Sequence, residues 1–174
     1  MSGLSLREAL VAVSWRDSGW RWLWLSLLLI VADQMSKAWV ETHYALGDSE
    51  PVFFWLDITR LHNRGAAFSF LADGGGWQRH FFSILAVIVS AVLVLWLRTL
   101  HARGERVLAV ALALVLSGAI GNVIDRFEHG FVIDFIHVHW GPVYFPAFNI
   151  ADAAITVGAV FLLCDAFTDW SRSR

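Results

Sequence analysis

Cysteine and charge are both scarce in this sequence. A single cysteine, Cys164, occurs in 174 residues, which excludes an intramolecular disulfide and a cysteine-based metal cluster. Charged residues make up only 16% and the formal net charge is -2, so no nucleic-acid partner is expected. Cys164 lies within the last apolar segment, where we expect a small buried apolar side chain.

Long apolar runs are what the chain has in abundance. Hydrophobic residues make up 57% of it, and a bilayer core takes about 20 apolar residues per helix. Four stretches come close to that length: Trp20 to Val40, Phe81 to Leu97, Val107 to Ile124 and Ile150 to Phe167. With no internal repeat or linker in view, residues 1–174 are expected to form a single membrane domain. The fold class is an α-helical membrane protein with four transmembrane helices.

The distribution of arginine predicts the orientation in the membrane. Four spans place both termini on one side, and basic residues favour the cytoplasm. Arginines are frequent in the two tails and in the short loop Arg98 to Arg106, so these segments should be cytoplasmic and the two longer connections should face outward. The first apolar run has some features of a secretory signal, but it continues into Asp33 and Lys37 without a small-residue cleavage pattern. We expect an uncleaved helix.

The outer connection between the first two spans is too long for a simple helix hairpin. Around residues 50–72 it is enriched in β-branched and aromatic residues with partial alternation, which is typical of strands. The sequence therefore predicts a small outward-facing β-sheet on the membrane surface.

Asp134 and Asp152 are the most informative residues because each interrupts an apolar stretch. A charge at membrane depth costs at least roughly 2.5 kcal/mol, which makes such a residue a candidate for function. For Asp152 a local role is also open, since an N-cap at Asn149 would place it in the first helical turn. Two carboxylates about 4 Å apart would repel by roughly 4 kcal/mol at an effective dielectric near 20. They would then share one proton as an acid/base pair.

Other polar positions have two interpretations each. Asp33 and Lys37 lie one helical turn apart, so they form either an ion pair with Lys37 extending to the interface, or a device in which Lys37 reaches a substrate carbonyl or a lipid headgroup. Asp125 either makes a local ion pair at a helix end or supports a site. His137 and His139 alternate as strand residues do, but a third ligand is not evident, so no metal site is expected.

Five motifs in order resemble the signal peptidase II family, the bacterial lipoprotein signal peptidases. The resemblance covers roughly residues 20 to 168. The motifs are Asp33-x-x-x-Lys37, Asn63-x-Gly65-Ala66-Ala67-Phe68, Gly121-Asn122-x-x-Asp125-Arg126, Val132-x-Asp134-Phe135 and Phe148-Asn149-x-Ala151-Asp152. The resemblance implies that Asp134 and Asp152 are the catalytic dyad. It implies supporting or substrate-binding roles for Asp33, Lys37, Asn63, Gly65, Asn122, Asp125, Arg126 and Asn149.

The same resemblance implies an aspartic endopeptidase of the bacterial inner membrane, with its active site near the outer face. Its substrates would be prolipoproteins carrying diacylglycerol on cysteine, cleaved on the N-terminal side of that cysteine. Membrane lipids and globomycin-type inhibitors would be its other partners, and no metal or organic cofactor is implied. We expect a monomer. Two other classes stay open from the residues alone: a proton-coupled transporter that uses the carboxylates as a relay, and a non-catalytic scaffold in which they are ion pairs or caps.

Overall fold

The computed structural model describes residues 13–65 and 76–173. Within them run four long helices: α1 (Leu23–His43), α2 (Trp77–Thr99), α3 (Arg106–Glu128) and α4 (Ile150–Arg172). A short 3-10 turn, Gly19–Trp22, leads into α1. Each of the four is long and apolar enough to cross a membrane. The predicted class, a four-helix membrane protein, is confirmed.

The helices extend beyond the apolar stretches that predicted them. Helix α2 begins at Trp77 rather than Phe81, α3 ends at Glu128 rather than Ile124, and α4 ends at Arg172 rather than Phe167. Hydropathy marks only the part of a helix that suits hydrocarbon, whereas backbone hydrogen bonding continues into the polar interface. A helix of about 23 residues is about 35 Å long, which exceeds the roughly 30 Å hydrocarbon core.

Helix α3 is the centre of the bundle and packs against α1, α2 and α4. In an apolar stretch of 18 residues of α3, 61% of the residues are buried, against 17–22% in the corresponding stretches of the other three helices. Small residues permit this: a Cβ added at Gly158 of α4 would lie 2.8 Å from the carbonyl oxygen of Ala111 on α3. Small residues at a helix interface allow such close packing in a membrane protein.

The helix faces turned away from α3 expose large apolar side chains such as Leu27, Ile88 and Leu163, as lipid contact requires. Cys164 is on such a face and is exposed, so the expectation of a buried cysteine was wrong. The reason is geometric: α4 buries only Ala151, Ala154 and Gly158, and Cys164 lies off that stripe.

An antiparallel sheet lies at the end of the bundle where α1 and α3 end and α4 begins. Its strands, in spatial order, are β1 (Ser49–Phe53), β2 (Leu56–Asn63), β3 (Val132–Trp140) and β4 (Val143–Tyr144). The predicted small sheet is confirmed, although the prediction confined it to about residues 50–72. Half of its strands come from the connection between α3 and α4. Residues 66–72 of the predicted region lie outside the described residues.

The segment that enters α4 is held against β3 by backbone hydrogen bonds. The carbonyl oxygen of Phe148 accepts from the amides of Phe135 and Ile136 at 3.0 and 2.8 Å, and the amide of Phe148 donates to Ile136 at 3.0 Å. These bonds bring the start of α4 alongside Asp134 on β3. Asp134 and Asp152, which are 18 positions apart in the sequence, are therefore close enough for the charge of Asp152 to act on Asp134.

Candidate active site

Asp134 and Asp152 are joined through one side chain, Asn149. The amide nitrogen of Asn149 donates to Asp134 Oδ1 at 2.8 Å, and its oxygen accepts the backbone N–H of Asp152 at 2.9 Å. Asn149 is fully buried and also donates to the carbonyl oxygen of Ile133 at 3.2 Å. A single residue thus contacts the carboxylate of Asp134 and the backbone of Asp152.

Asp134 is buried at the junction of the sheet and the bundle. It pairs with Leu61 across β2 and β3, which brings Asn63 at the end of β2 within reach. Asn63 donates to Asp134 Oδ2 at 3.0 Å, and its own oxygen accepts the amide of Gly65 at 3.0 Å. Both oxygens of Asp134 are therefore held by amide donors.

Asp152 occupies the first turn of α4 and is only partly buried. Asn149 is indeed the N-cap of this helix, so the capping interpretation is confirmed, and it coexists with the placement of Asp152 beside Asp134. Asn122 of α3 donates to Asp152 Oδ1 at 2.8 Å. The helix N-terminus adds a partial positive charge that favours the carboxylate.

Arg126 provides a fixed positive charge next to the pair. Its guanidinium donates to the carbonyl oxygens of Gly65 at 3.0 Å and Asn122 at 3.2 Å. It also lies 5.6 Å from the ring centroid of Phe82 on α2, within the range of a cation–π contact. Arg126 thereby connects α3 to α2 and to the loop after β2. Ala66, Ala67 and Phe68 of that loop lie outside the described residues.

Lys37 is buried at 2% exposure, and its ammonium lies 2.7 Å from Asp33 Oδ2 and 2.9 Å from Asp125 Oδ2. The ion pair with Asp33 is confirmed. The idea that Lys37 extends to the interface was wrong, because its nitrogen is turned inward to two carboxylates. The local ion pair expected for Asp125 was also wrong, since its partner belongs to α1.

The structure joins all ten candidate residues in one continuous set of hydrogen bonds and ion pairs. Asn122 links its two halves, since its oxygen lies 3.4 Å from Lys37 Nζ and 3.3 Å from Asn149 Nδ2. Sequence reasoning missed Gln34, whose amide donates to Asp125 Oδ1 at 2.8 Å and to the carbonyl oxygen of Gly121 at 3.2 Å. A polar residue between Asp33 and Lys37 in an apolar helix was the available signal.

The histidines of β3 do not join this site. His139 bonds to Asp57 at 3.2 Å and stacks on Tyr144, whereas His137 tilts against the same tyrosine. Among the described residues, no group of three or more His, Cys, Asp or Glu side chains could hold a metal ion. The donors that surround the aspartates are amides, which suits carboxylate orientation.

The environment of Asp134 raises its pKa to about 7 from 3.8. Burial is the largest cause, and the negative charge of Asp152 is the second. Hydrogen bonds from Asn63 and Asn149 and the charge of Lys37 oppose the increase. An aspartate with such a pKa can exchange a proton near neutral pH, which is what acid/base chemistry requires.

Gly121 makes room for the polar residues behind the pair, which leads to a test of packing. A Cβ at Gly121 would lie 2.7 Å from Asp33 Oδ2 and 3.2 Å from the Cβ of Ala151. We expect Gly121→Ala to destabilise the protein by about 1–3 kcal/mol through overpacking, measured as a lower midpoint of thermal unfolding in detergent. Gly104→Ala is the control, since its Cβ would meet nothing closer than 4.0 Å. Equal midpoints would contradict the packing argument.

Two solved structures have this architecture. Both are described as bacterial membrane enzymes solved by the in meso method. One has a TM-score of 0.78 and 32% identity, covering 88% of this chain and 92% of its own. The other has a TM-score of 0.72 and 31% identity, covering 86% and 94%. The four spans, the small antiparallel sheet and the buried polar site therefore define a multi-pass bacterial membrane enzyme.

Sequence comparison gives the particular family. The family described as Signal peptidase (SPase) II matches residues 25–168. Two proteins named lipoprotein signal peptidase are similar over most of their length. The one from Shewanella woodyi is 49% identical over 153 residues, 88% of this chain and 86% of that protein. The one from Shewanella oneidensis is 48% identical over 155 residues, 89% and 91%. The chain belongs to the signal peptidase II family and is a peptidase.

Proposed function

We propose that this protein removes signal peptides from diacylglyceryl-modified prolipoproteins, cleaving on the N-terminal side of the lipidated cysteine. The observation that carries the proposal is the pairing of Asp134 and Asp152 through Asn149. The relatives named lipoprotein signal peptidase support the substrate class.

The chemistry is that of an aspartic peptidase. One carboxylate, ionised, accepts a proton from water as the water attacks the scissile carbonyl carbon. The other carboxyl group, protonated, donates to the carbonyl oxygen, which gives a tetrahedral intermediate. Proton return to the leaving nitrogen then breaks the C–N bond. The pair as a whole carries one proton near neutral pH, so neither aspartate has one role throughout the cycle.

The neighbours of the pair have positioning roles in this proposal. Asn63 and Asn149 each hold one oxygen of Asp134, and Asn122 holds Oδ1 of Asp152, so that both carboxyl groups are oriented before substrate binds. Arg126 fixes the backbone at Gly65, where the loop that follows β2 begins. Asp33, Lys37 and Asp125 hold the framework behind the pair.

The proposed setting is the bacterial inner membrane with both termini in the cytoplasm, as the arginine distribution indicates. The site then lies near the outer face, with the sheet above it. A substrate anchored by acyl chains and a hydrophobic signal helix would arrive laterally from the lipid. We further propose that the enzyme acts as a monomer without a metal or organic cofactor, and that globomycin-type inhibitors bind against the aspartate pair.

A direct cleavage assay tests the function. Purified protein in lipid is incubated with a diacylglyceryl-modified prolipoprotein and, separately, with the same precursor before lipid modification. We expect release of the signal peptide, visible as a gel shift, only from the modified precursor. Cleavage of both precursors would contradict lipid-dependent recognition. Absence of cleavage by folded protein, together with proton-dependent flux in liposomes, would replace the proposal with the transporter alternative.

The raised pKa of Asp134 predicts the pH dependence of both activity and stability. Because the active pair needs one proton, kcat/KM should fall as the pH rises through about 7. Between the pKa of about 4 of an unfolded aspartate and about 7, the folded state binds more protons than the unfolded state. The free energy of unfolding should therefore decrease across that range, by on the order of a few kcal/mol.

The variant Asp134→Asn separates this contribution from the rest of the protein. Denaturant titrations at pH 4 and pH 8 would give the free energy of unfolding of both proteins. The wild type should lose more stability between the two pH values than the variant, since the variant lacks the titrating group. Equal losses would show that Asp134 titrates in its ordinary range.

A further inference from the structure

Four residues, Asp33, Gln34, Lys37 and Asp125, form what we call the Lys37 cluster. Two donors of α1 bridge the same two carboxylates. The ammonium of Lys37 contacts Asp33 Oδ2 at 2.7 Å and Asp125 Oδ2 at 2.9 Å. The amide of Gln34 donates to Asp33 Oδ2 at 3.2 Å and to Asp125 Oδ1 at 2.8 Å. Asp33 and Asp125 are thereby held together across the interface of α1 and α3.

Each of these carboxylates also holds a backbone amide next to the candidate dyad. Asp33 Oδ1 accepts the N–H of Ala151 at 2.9 Å, and Ala151 immediately precedes Asp152. Asp125 Oδ2 accepts the N–H of Ile133 at 3.1 Å, and Ile133 immediately precedes Asp134. The two attachments are equivalent, one on α4 and the other on β3, and they meet at Lys37.

We propose that Lys37 is a positioning residue that sets the separation of Asp134 and Asp152. It does so by holding together the two carboxylates that anchor the backbone directly in front of each aspartate. The inference rests on the proposed function, in which these aspartates are the catalytic pair. Lys37 is too deeply buried to touch substrate, so its effect on the reaction passes through the backbone of Ile133 and Ala151.

The energetic consequence follows from geometry. The substrate and two catalytic groups must meet in one arrangement, and a displacement of about 1 Å can reduce the rate by about 100-fold. Without the ammonium, Asp33 and Asp125 would repel each other and would retain only Gln34 as a bridge. The anchor points of β3 and α4 would then separate, and the aspartates would move with them.

The charge of Lys37 provides a second, independent effect. It opposes the increase in the pKa of Asp134. The other groups that act on Asp134 are Asp152 on α4, which raises its pKa, and the amides of Asn63 and Asn149, which lower it. Arg126 on α3 is a further charged neighbour. Removing the ammonium should therefore shift the basic limb of the pH–rate profile to higher pH.

Kinetics of three variants test the proposal with the lipidated precursor as substrate. We expect Lys37→Met to lower kcat by about 100-fold with little change in KM. It should also shift the basic limb of the pH–rate profile to higher pH. Gln34→Met removes the amide bridge between Asp33 and Asp125 and leaves the bridge made by Lys37. A smaller decrease in kcat is therefore expected, without a shift of the pH–rate profile. Ser26→Ala is the matched control. Ser26 is buried and donates to the carbonyl oxygen of Ala113 at 2.8 Å, also joining α1 to α3, but this hydrogen bond involves no residue of the site.

Residue-resolved hydrogen exchange gives a readout that does not depend on cleavage. The amides of Ile133 and Ala151 should exchange faster in Lys37→Met than in wild type. The amide of Phe135, bonded to Phe148, should be less affected, and Ser26→Ala should leave all three unchanged. If Lys37→Met does not fold, the same comparison with Gln34→Met decides the matter.

The outcomes separate the two proposals. Wild-type kcat in Lys37→Met would overturn the positioning role, and so would a lower kcat with unchanged exchange at Ile133 and Ala151. If Ser26→Ala and Lys37→Met lose stability equally and have equal activities, the Lys37 cluster contributes only to packing and the positioning role is overturned. If wild type itself does not cleave the precursor, the proposed function fails, whereas the exchange data still report whether Lys37 holds the two backbone segments.

Discussion

Asp134→Asn and Asp152→Asn should each give a folded, inserted protein that releases no signal peptide from lipid-modified precursor. Removing one member of a catalytic unit commonly costs at least about 10⁴-fold in kcat. The amide keeps the size of the carboxyl group, and its oxygen can still accept the hydrogen bond from Asn149 at position 134 or from Asn122 at position 152. At position 134 the hydrogen bond from Asn63 is lost. What it loses is the capacity to take up or give a proton. The loss should therefore appear in kcat, with folding preserved.

A control on the same helix makes this result specific. Asp169 lies near the end of α4 and is exposed, so Asp169→Asn removes one carboxylate from α4 without touching the site. Cleavage rates are compared by gel shift under single-turnover conditions, and folding by the thermal unfolding midpoint. Normal processing by either dyad variant would refute the proposed mechanism. A loss of activity in Asp169→Asn as well would point to a general effect of charge on insertion.

Asn149→Ala should have the second-largest effect, because Asn149 acts on both aspartates at once. The substitution removes the N-cap of α4, worth about 1 kcal/mol. It also leaves the buried carbonyl oxygen of Ile133 and Asp134 Oδ1 without their donor, at about 1–3 kcal/mol for an unsatisfied buried group. We expect a loss of stability of about 2–4 kcal/mol, and a decrease in kcat on the order of 100-fold or more.

Asn149→Asp separates the two roles. Its carboxylate can still accept the N–H of Asp152 and so preserves the cap, but it cannot donate to Asp134, and it adds a third negative charge. Because the cap is kept, it contributes no loss of stability in urea or thermal unfolding, in contrast to Asn149→Ala. Cleavage should nevertheless be lost. A variant Asn149→Asp that cleaves normally would show that the amide donor to Asp134 is dispensable.

Much of the site could be predicted because ionisable and amide side chains are rare in segments of this composition. Asp134 is conspicuous among apolar neighbours, and Asn149 and Asp152 have the spacing of an N-cap and a first-turn residue. Both observations predicted residues that the structure brings together. Gln34 was not predicted as a site residue because it lies next to Asp33 and close to Lys37, for which an ion pair was the simpler interpretation. Its contact with Asp125 depends on the packing of α1 against α3.

Partner choice is where the sequence-based expectations failed. Lys37 was expected either to pair with Asp33 while extending to the interface or to reach a substrate or lipid headgroup, and Asp125 was expected either to pair locally or to support a site. Both meet inside the bundle instead, because Gly121 lets Asp33 and α4 approach α3 closely. Helical spacing specifies neighbours within one helix, whereas contacts between helices depend on their rotation and depth. Cys164 is a similar case, since apolar composition does not tell a lipid-facing position from a buried one.

By itself the sequence determined the four spans, the presence of a small sheet and the identity of the polar residues, because hydropathy, β-propensity and the cost of charge in lipid are local properties of the chain. Only the tertiary structure decided that β3 joins the sheet, that Phe148 ties the start of α4 to β3, and that Asn149 thereby orients both aspartates. These are contacts between segments far apart in sequence, and their geometry arises only when the helices and strands pack.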